Sequence, residues 1–233
     1  MFLRSTDAVY MASRSASACW AVRRPSLTPM WSIHGGREAI RGTMTTHDDP
    51  PGSGPGTIDV EPVLVGVRAA LAPLVRAGDR SSADIDAATR QLTEAAANAV
   101  GVARASVWRY DAERHVLVCV DLFSRIDGTH TQGTEIDLTA TPRYIAALSR
   151  GGAVAAHDAQ NDPRTSEFTG TYLAPLHITA MLDASVLVDG ALEGIICHEH
   201  VGDAPRAWSA LEVQAALLFA DLAAVLSRAR RSP

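Results

Sequence analysis

Residues Gly194 to His200 read GIICHEH, which puts Cys197, His198, Glu199 and His200 side by side. Such residue types could chelate a metal, supply a reactive thiol, or simply end a strand. In an extended strand successive side chains point to opposite faces, so Ile196, His198 and His200 share one face while Cys197 and Glu199 share the other. The four neighbours therefore cannot converge on one ion. His198 and His200 alone would offer two ligands about 6.5 Å apart, with His177 or Asp183 of an adjacent strand as a third. Zinc sites legible in a sequence carry tighter, repeated ligand spacing, so a strand end with Glu199 and His200 leaving into the VGDAPRAW loop is the favoured reading.

A reactive cysteine needs exposure and a lowered pKa. His198 points away from Cys197 and is poorly placed to activate it, so a buried thiol is expected. Cys19, Cys119 and Cys197 are odd in number and far apart, which excludes a disulfide framework and a CxxC pair.

The elements that would position these residues follow from periodicity. Val60, Leu64, Val67, Leu71 and Leu74 line one helical face in a leading helix over 58–80, which Pro73 must kink or stop near Ala72. A second helix starts at Ser81, with Asp84 completing a capping box, buries Ile85, Ala88, Leu92, Ala96 and Ala99, and ends at Gly101. A third starts at the Ser209/Glu212 capping box and carries Leu211, Ala215, Leu218, Leu222 and Val225 in heptad steps, as in a coiled-coil seam or a helix lying on a sheet.

Between the second and third helices the period becomes two. Strands are predicted over 105–110 and 115–122, joined by DAER, then over 134–138, 153–157, 178–188 and 192–200, with a short helix opening at Thr141-Pro142. The class is α+β with an antiparallel sheet.

Composition narrows the partners. The chain has 233 residues, 47% hydrophobic, with a formal net charge of -5 that disfavours broad nucleic-acid binding. All 21 basic residues are arginine, a pattern of codon bias in a GC-rich genome. Residues 1–43 hold Arg4, Arg14, Arg23, Arg24, Arg37 and Arg41 against Asp7 and Glu38, and DDPPGSGPG follows. Residues 1–57 are accordingly expected to be a disordered or mis-called extension, with Met44 rather than Met1 as the natural start. No run approaches the roughly 20 uninterrupted apolar residues of a membrane span, and a cytoplasmic location without membrane or nucleic-acid partners is expected.

Three stretches together resemble the GAF domain family over residues 81–230, of the type found beside sensor histidine kinases and diguanylate cyclases. HDAQNDPRT (157–165) is similar to its DA-spacer-DPR loop, and LHITAMLDASVLVDGALEGIICHEH (176–200) to its paired strands around a glycine turn. Trp208 onward is similar to the closing W-S-x-x-E helix. His177 stands where the family usually has glycine, and Ala180-Met181 replaces a common serine.

The resemblance implies an antiparallel sheet of about six strands, with the flanking N- and C-terminal helices on one face and a small-molecule pocket on the other. Trp108, Tyr110, Phe123, Tyr172, Met181 and His198 are the expected lining, with Asp158, Asp162 and Arg164 as polar groups. For the two aspartates, caps of local turns before Pro163 are the favoured reading.

The function implied is non-enzymatic sensing of an unidentified small molecule. It would use a homodimer formed through the flanking helices and an effector in another chain, such as a histidine kinase or cyclase. No GGDEF run, P-loop or kinase nucleotide box is present. SEFTGTYL (166–173) has no cysteine, so covalent bilin attachment is not expected. No catalytic residue, metal or named cofactor is assigned. A cysteine-dependent redox enzyme and an interaction module with a collapsed pocket are the alternatives.

Overall fold

The computed structural model describes residues 81–231, together with the helical positions Glu61, Val65, Arg68 and Ala72. The expectations for residues 1–57, and for the leading helix beyond those four positions, lie outside the described residues.

Helix α1 (Ser82–Val100) begins as its capping box requires. The Ser81 hydroxyl accepts from the Asp84 amide, and the Ser81 amide donates back to the Asp84 carboxylate. Such a cap contributes about 1 kcal/mol. The helix ends on Gly101 in the left-handed region, and its buried face carries Ile85, Ala88, Leu92 and Ala96.

Strands β1 (Arg104–Asp111), β2 (Val116–Ser124), β3 (Thr129–Thr131), β4 (Glu135–Asp137), β5 (Ala153–Ala156), β6 (Ile178–Val188) and β7 (Ala191–Val201) form one antiparallel sheet. Its order is β3-β2-β1-β7-β6-β5, with β4 also paired to β2. The expected six strands become seven because β3 folds back onto the end of β2 after a turn that Gly128 closes at φ 69°. Three polar residues, THT, show no apolar alternation to announce it. A short helix α2 (Pro142–Leu148) begins on its proline, and a loop with a tight turn at Ser166–Phe168 and a wider one at Thr169–Leu173 leads into β6.

Helix α3 (Ala210–Arg231) starts at the Ser209/Glu212 box, where hydroxyl, amide and carboxylate bond reciprocally. Its buried face differs from the expected seam. Ala215 and Leu222 are buried with Ala216, Phe219, Ala220, Ala223, Leu226 and Ala229, while Leu211, Leu218 and Val225 remain 42%, 38% and 47% exposed. A flat sheet takes a broader helical stripe than a heptad seam, and small alanines let α3 approach both α1 and the strands. α3 is long and apolar enough to cross a membrane by composition, but much of its surface is spent on this sheet.

The sheet thus has two unlike faces. Against α1 and α3 lies one apolar cluster containing Ala105, Val107, Leu182, Ala184, Ile196 and Phe219. On the opposite face a second cluster, under α2 and the 157–177 loop, gathers Trp108, Leu117, Cys119, Tyr144, Phe168 and Met181.

Candidate functional site

Strand pairing decides which side chains reach the second face. Register aligns Ser106, Cys197 and Asp183 in one row across β1, β7 and β6, and Arg104, Glu199 and Met181 in the next. Trp108 and Ile195 form a third row, and the Trp108 indole donates to the Ser106 hydroxyl at 2.7 Å. Gly194, beside Trp108, is obligatory: a Cβ there would meet the Trp108 carbonyl oxygen at 2.1 Å. β7 therefore approaches β1 closely where the tryptophan enters the cluster.

Two tyrosines close this face from above, each tied to a buried carboxyl group. Tyr144, the third residue after the Thr141 cap of α2, packs edge-on against Phe168 at 4.9 Å and donates its hydroxyl to Asp183 at 2.6 Å. Tyr172, from the wide turn, donates to Glu199 at 2.7 Å. Arg104 completes that pair: its guanidinium lies 2.6 Å from Glu199 and 5.9 Å from the centre of the Tyr172 ring.

Between the two tyrosines, Trp108, Met181 and Cys197 line a cavity of ≈ 20 Å³. That is room for about one water molecule. Its only half-buried wall residues are Tyr172 and Ile136, so the mouth lies there.

Burial sets the electrostatics. Asp183 is fully buried, and loss of solvation pushes its carboxyl up to about 7 although the Tyr144 hydrogen bond pulls the other way. Burial also holds the Tyr144 and Tyr172 phenols well above their usual range, so both remain hydrogen-bond donors. Cys197 is raised well above the ordinary thiol by burial and then by Asp183, and burial pushes Cys119 up to about 12. Both are free, buried thiols without thiolate character.

The expected lining divides. Trp108, Tyr172 and Met181 line the cavity. Tyr110 packs at the edge of the same cluster, its hydroxyl 3.4 Å from His115. Phe123 and His198 do not belong here. In β2 the pairing skips Val120, a bulge that puts Val120 and Asp121 on one side and sends Phe123 toward the helices. His198 shares the face of Ile196 and lies under α3, its Nδ1 2.9 Å from the Leu182 carbonyl oxygen and its ring 6.3 Å from that of Phe219. Burial lowers it to about 4, so it is a neutral donor inside the helix-side core.

The face of β7 that reaches the cavity is that of Cys197 and Glu199. Glu199 does not leave the sheet, being 1% exposed. Asp158 and Asp162 act at their loop instead. Asp158 accepts from the Asn161 side chain and lines a shallow open depression with His177 and Asp203. Asp162 takes the Arg164 guanidinium and amide, and Arg164 lowers its pKa. His177 occupies the left-handed region at φ 54°, which a glycine would adopt without strain. No group of three metal-ligating side chains is assembled among the described residues.

Sequence reasoning missed Tyr144, Phe168, Asp183, Cys197 and Glu199 as a set. Asp183, flanked by apolar residues in β6, was the available signal, since an acidic residue at the centre of a buried strand requires a partner.

Comparison with known proteins agrees with this architecture. The family model of the GAF domain matches residues 84–226. No curated protein sequence matches. Among solved structures, the chromophore-binding domain of a Stigmatella aurantiaca bacteriophytochrome superposes with a TM-score of 0.56 at 16% identity, covering 77% of this chain and 64% of that one. The chain thus spans less than two thirds of that relative, and 39% of the Stigmatella photosensory core module.

The PixJ GAF domain of Thermosynechococcus elongatus gives 0.51 at 21% identity, covering 64% and 88%. The GAF domain of an Acinetobacter phosphoenolpyruvate-protein phosphotransferase gives 0.55 at 12% identity, covering 73% and 95%. At such identities these structures share its fold. With the family match spanning more than half of the sequence, and with a two-faced antiparallel sheet that carries its helices on one side and a lined cavity on the other, the chain belongs to the GAF domain family.

Proposed function

We propose that this GAF domain is a non-enzymatic sensor or regulatory module that takes a small molecule on the sheet face covered by α2 and the 157–177 loop. The observation that carries the reading is the buried polar floor of that face. Asp183 and Glu199 are buried, with Arg104 half-buried beside them, beneath two tyrosines that could have been replaced by plain apolar packing. Buried polar networks are costly to keep, and they concentrate where a site must recognise something. Absence of thiolate character at Cys119 and Cys197 weighs against a cysteine-dependent redox enzyme.

Output would pass through α1 and α3, which pack on the reverse of the same strands. Leu211, Leu218 and Val225 leave an apolar stripe on α3 suited to a second copy of the chain, and a histidine kinase or cyclase in another chain is the effector type proposed. A cytoplasmic location is part of the same proposal.

The cavity of ≈ 20 Å³ favours a second reading, an interaction module whose pocket is filled by its own side chains. Native mass spectrometry after exposure to a metabolite library separates the two. A retained small molecule that is lost on filling the cavity with Cys197→Phe supports the sensor. No added mass on the wild type or on Tyr172→Ala, where the plug is removed, supports the interaction module.

A further inference from the structure

The chemistry of the cavity narrows what it would bind. Its walls are unusually aromatic for so small a space: Trp108, Tyr144, Phe168 and Tyr172 surround it. The faces of such rings attract cations, most strongly where water is excluded. The structure already contains one cation held this way, since Arg104 sits over the Tyr172 ring and is ion-paired to Glu199.

Counting ionisable groups then shows one acid more than the bases can pair. Among the buried titratable residues, Asp121, His198 and Glu212 belong to the helix side, where Asp121 meets Thr93 of α1 and His130, and Glu212 caps α3 beside Arg206. The cavity side has Glu199 on the wall and Asp183 beside it, bonded to the wall residue Tyr144, against the half-buried Arg104 alone. Glu199 receives the arginine and the Tyr172 hydroxyl, whereas Asp183 receives the Tyr144 hydroxyl at Oδ2 and, as a weaker donor, the Cys197 thiol. Its other oxygen, Oδ1, is fully buried and has no hydrogen-bond partner. Directly across the ladder stands the Cys197 thiol, at most a weak donor. In the empty fold burial favours the protonated form of Asp183; once ionised, it has a buried carboxylate oxygen without a partner, which calls for a cationic donor.

The geometry points to a small organic cation, a primary or methylated amine in its ammonium form, seated within the rings of Trp108, Tyr144, Phe168 and Tyr172 and balancing Asp183. Its charge would replace the proton of Asp183 and set two cations against two carboxylates. The existing cavity is the size of an ammonium group, and movement of Tyr172 at the mouth would admit its substituents. Inorganic cations that demand shells of oxygen ligands suit these ring-lined walls poorly. The assignment rests on the small-molecule reading of this face and specifies the ligand class for it.

Calorimetric titration of the full chain at pH 8 tests it, using ammonium, methylammonium and tetramethylammonium chlorides. Sodium chloride at matched ionic strength and tert-butyl alcohol, a neutral counterpart of tetramethylammonium, serve as controls. The expected result is saturable binding of at least one ammonium at one site per chain, without binding of either control. Asp183→Asn, checked for an unchanged circular dichroism spectrum, is expected to weaken binding about thirty-fold or more.

Should that variant fail to fold, the wild type is titrated at pH 7 in two buffers of different ionisation enthalpy, where a proton released on binding is expected as the cation ionises Asp183. Unchanged affinity in Asp183→Asn, or no proton released, would overturn the proposal. Equal binding of tert-butyl alcohol would overturn the cation assignment while leaving a ligand pocket in place. Exclusion of every probe by both the wild type and Tyr172→Ala would overturn the pocket as well.

Discussion

Tyr144 donates a hydrogen bond to Asp183 across 2.6 Å, joining helix α2 to the centre of β6 in a space closed to water. The bond fixes how deeply the Tyr144 ring enters the cavity, and it is the strong hydrogen bond of the Asp183 side chain, the Cys197 thiol being a weak second donor. Tyr144→Phe keeps the ring and removes the bond. Stability is expected to fall by about 1–3 kcal/mol in urea denaturation, the cost of an unsatisfied buried acceptor. The Asp183 carboxyl should also titrate higher, because the Tyr144 bond is the larger of the two hydrogen bonds that lower it. An unchanged urea midpoint would show that the bond does not form.

Two buried groups on opposite faces of the sheet should give opposite pH dependence. His198 is lowered to about 4 by burial. Its contribution is present above about 6.5, the ordinary value, and is lost as the pH falls from there toward 4. Asp183 is raised to about 7 by burial. The fold prefers its protonated form, so its contribution is full below about 4 and is lost as the pH rises toward 7. Each contribution is on the order of 3–4 kcal/mol, and between pH 4 and 6.5 the two slopes offset each other. Asp183→Asn should therefore make stability rise more steeply with pH across this window, and His198→Gln should make it fall. Parallel curves for the two variants would contradict the assignment.

Gly194→Ala tests the close approach of β7 to β1. The new methyl would overlap the Trp108 carbonyl, a backbone atom that can move only by opening the ladder. A loss of about 3 kcal/mol or more is expected, with a changed near-ultraviolet signal from the displaced Trp108. Wild-type stability would mean that the register differs.

The exposed stripe on α3 is tested by Leu218→Glu, alone and with Leu211→Glu. Both side chains face solvent in the monomer, so the folded chain should keep its thermal midpoint within a few degrees while light scattering reports a shift from dimer to monomer. A monomeric wild type at high micromolar concentration would remove the proposed interface.

Much of the scaffold is legible in the chain itself. The Ser81/Asp84 and Ser209/Glu212 boxes mark two helix starts, and alternation marks the long strands. Parity correctly separated Ile196 and His198 from Cys197 and Glu199. It could not say which set meets the helices, because both sets contain apolar residues and only tertiary packing breaks the tie. For Phe123 the obstacle is the Val120 bulge, an extra residue that reverses parity without changing residue type. On α3, heptad spacing at Leu211, Leu218 and Val225 suggested burial, but the alanines between them allow the closer packing and win the sheet. Tyr144 was hidden because its partner Asp183 is 39 positions away in sequence.

The central claim, that the face between Tyr144 and Tyr172 is where this domain takes a ligand, has a built-in reporter. The chain has five methionines, and four of them, Met1, Met11, Met30 and Met44, precede the GAF domain, which leaves Met181 on the cavity wall. Methyl-labelled methionine NMR, recorded with each metabolite-library or ammonium compound that calorimetry shows to bind, follows that wall directly. The account predicts a saturable displacement of the Met181 methyl resonance that matches the calorimetric curve. Bound ligand with the Met181 resonance unmoved at saturation would contradict it.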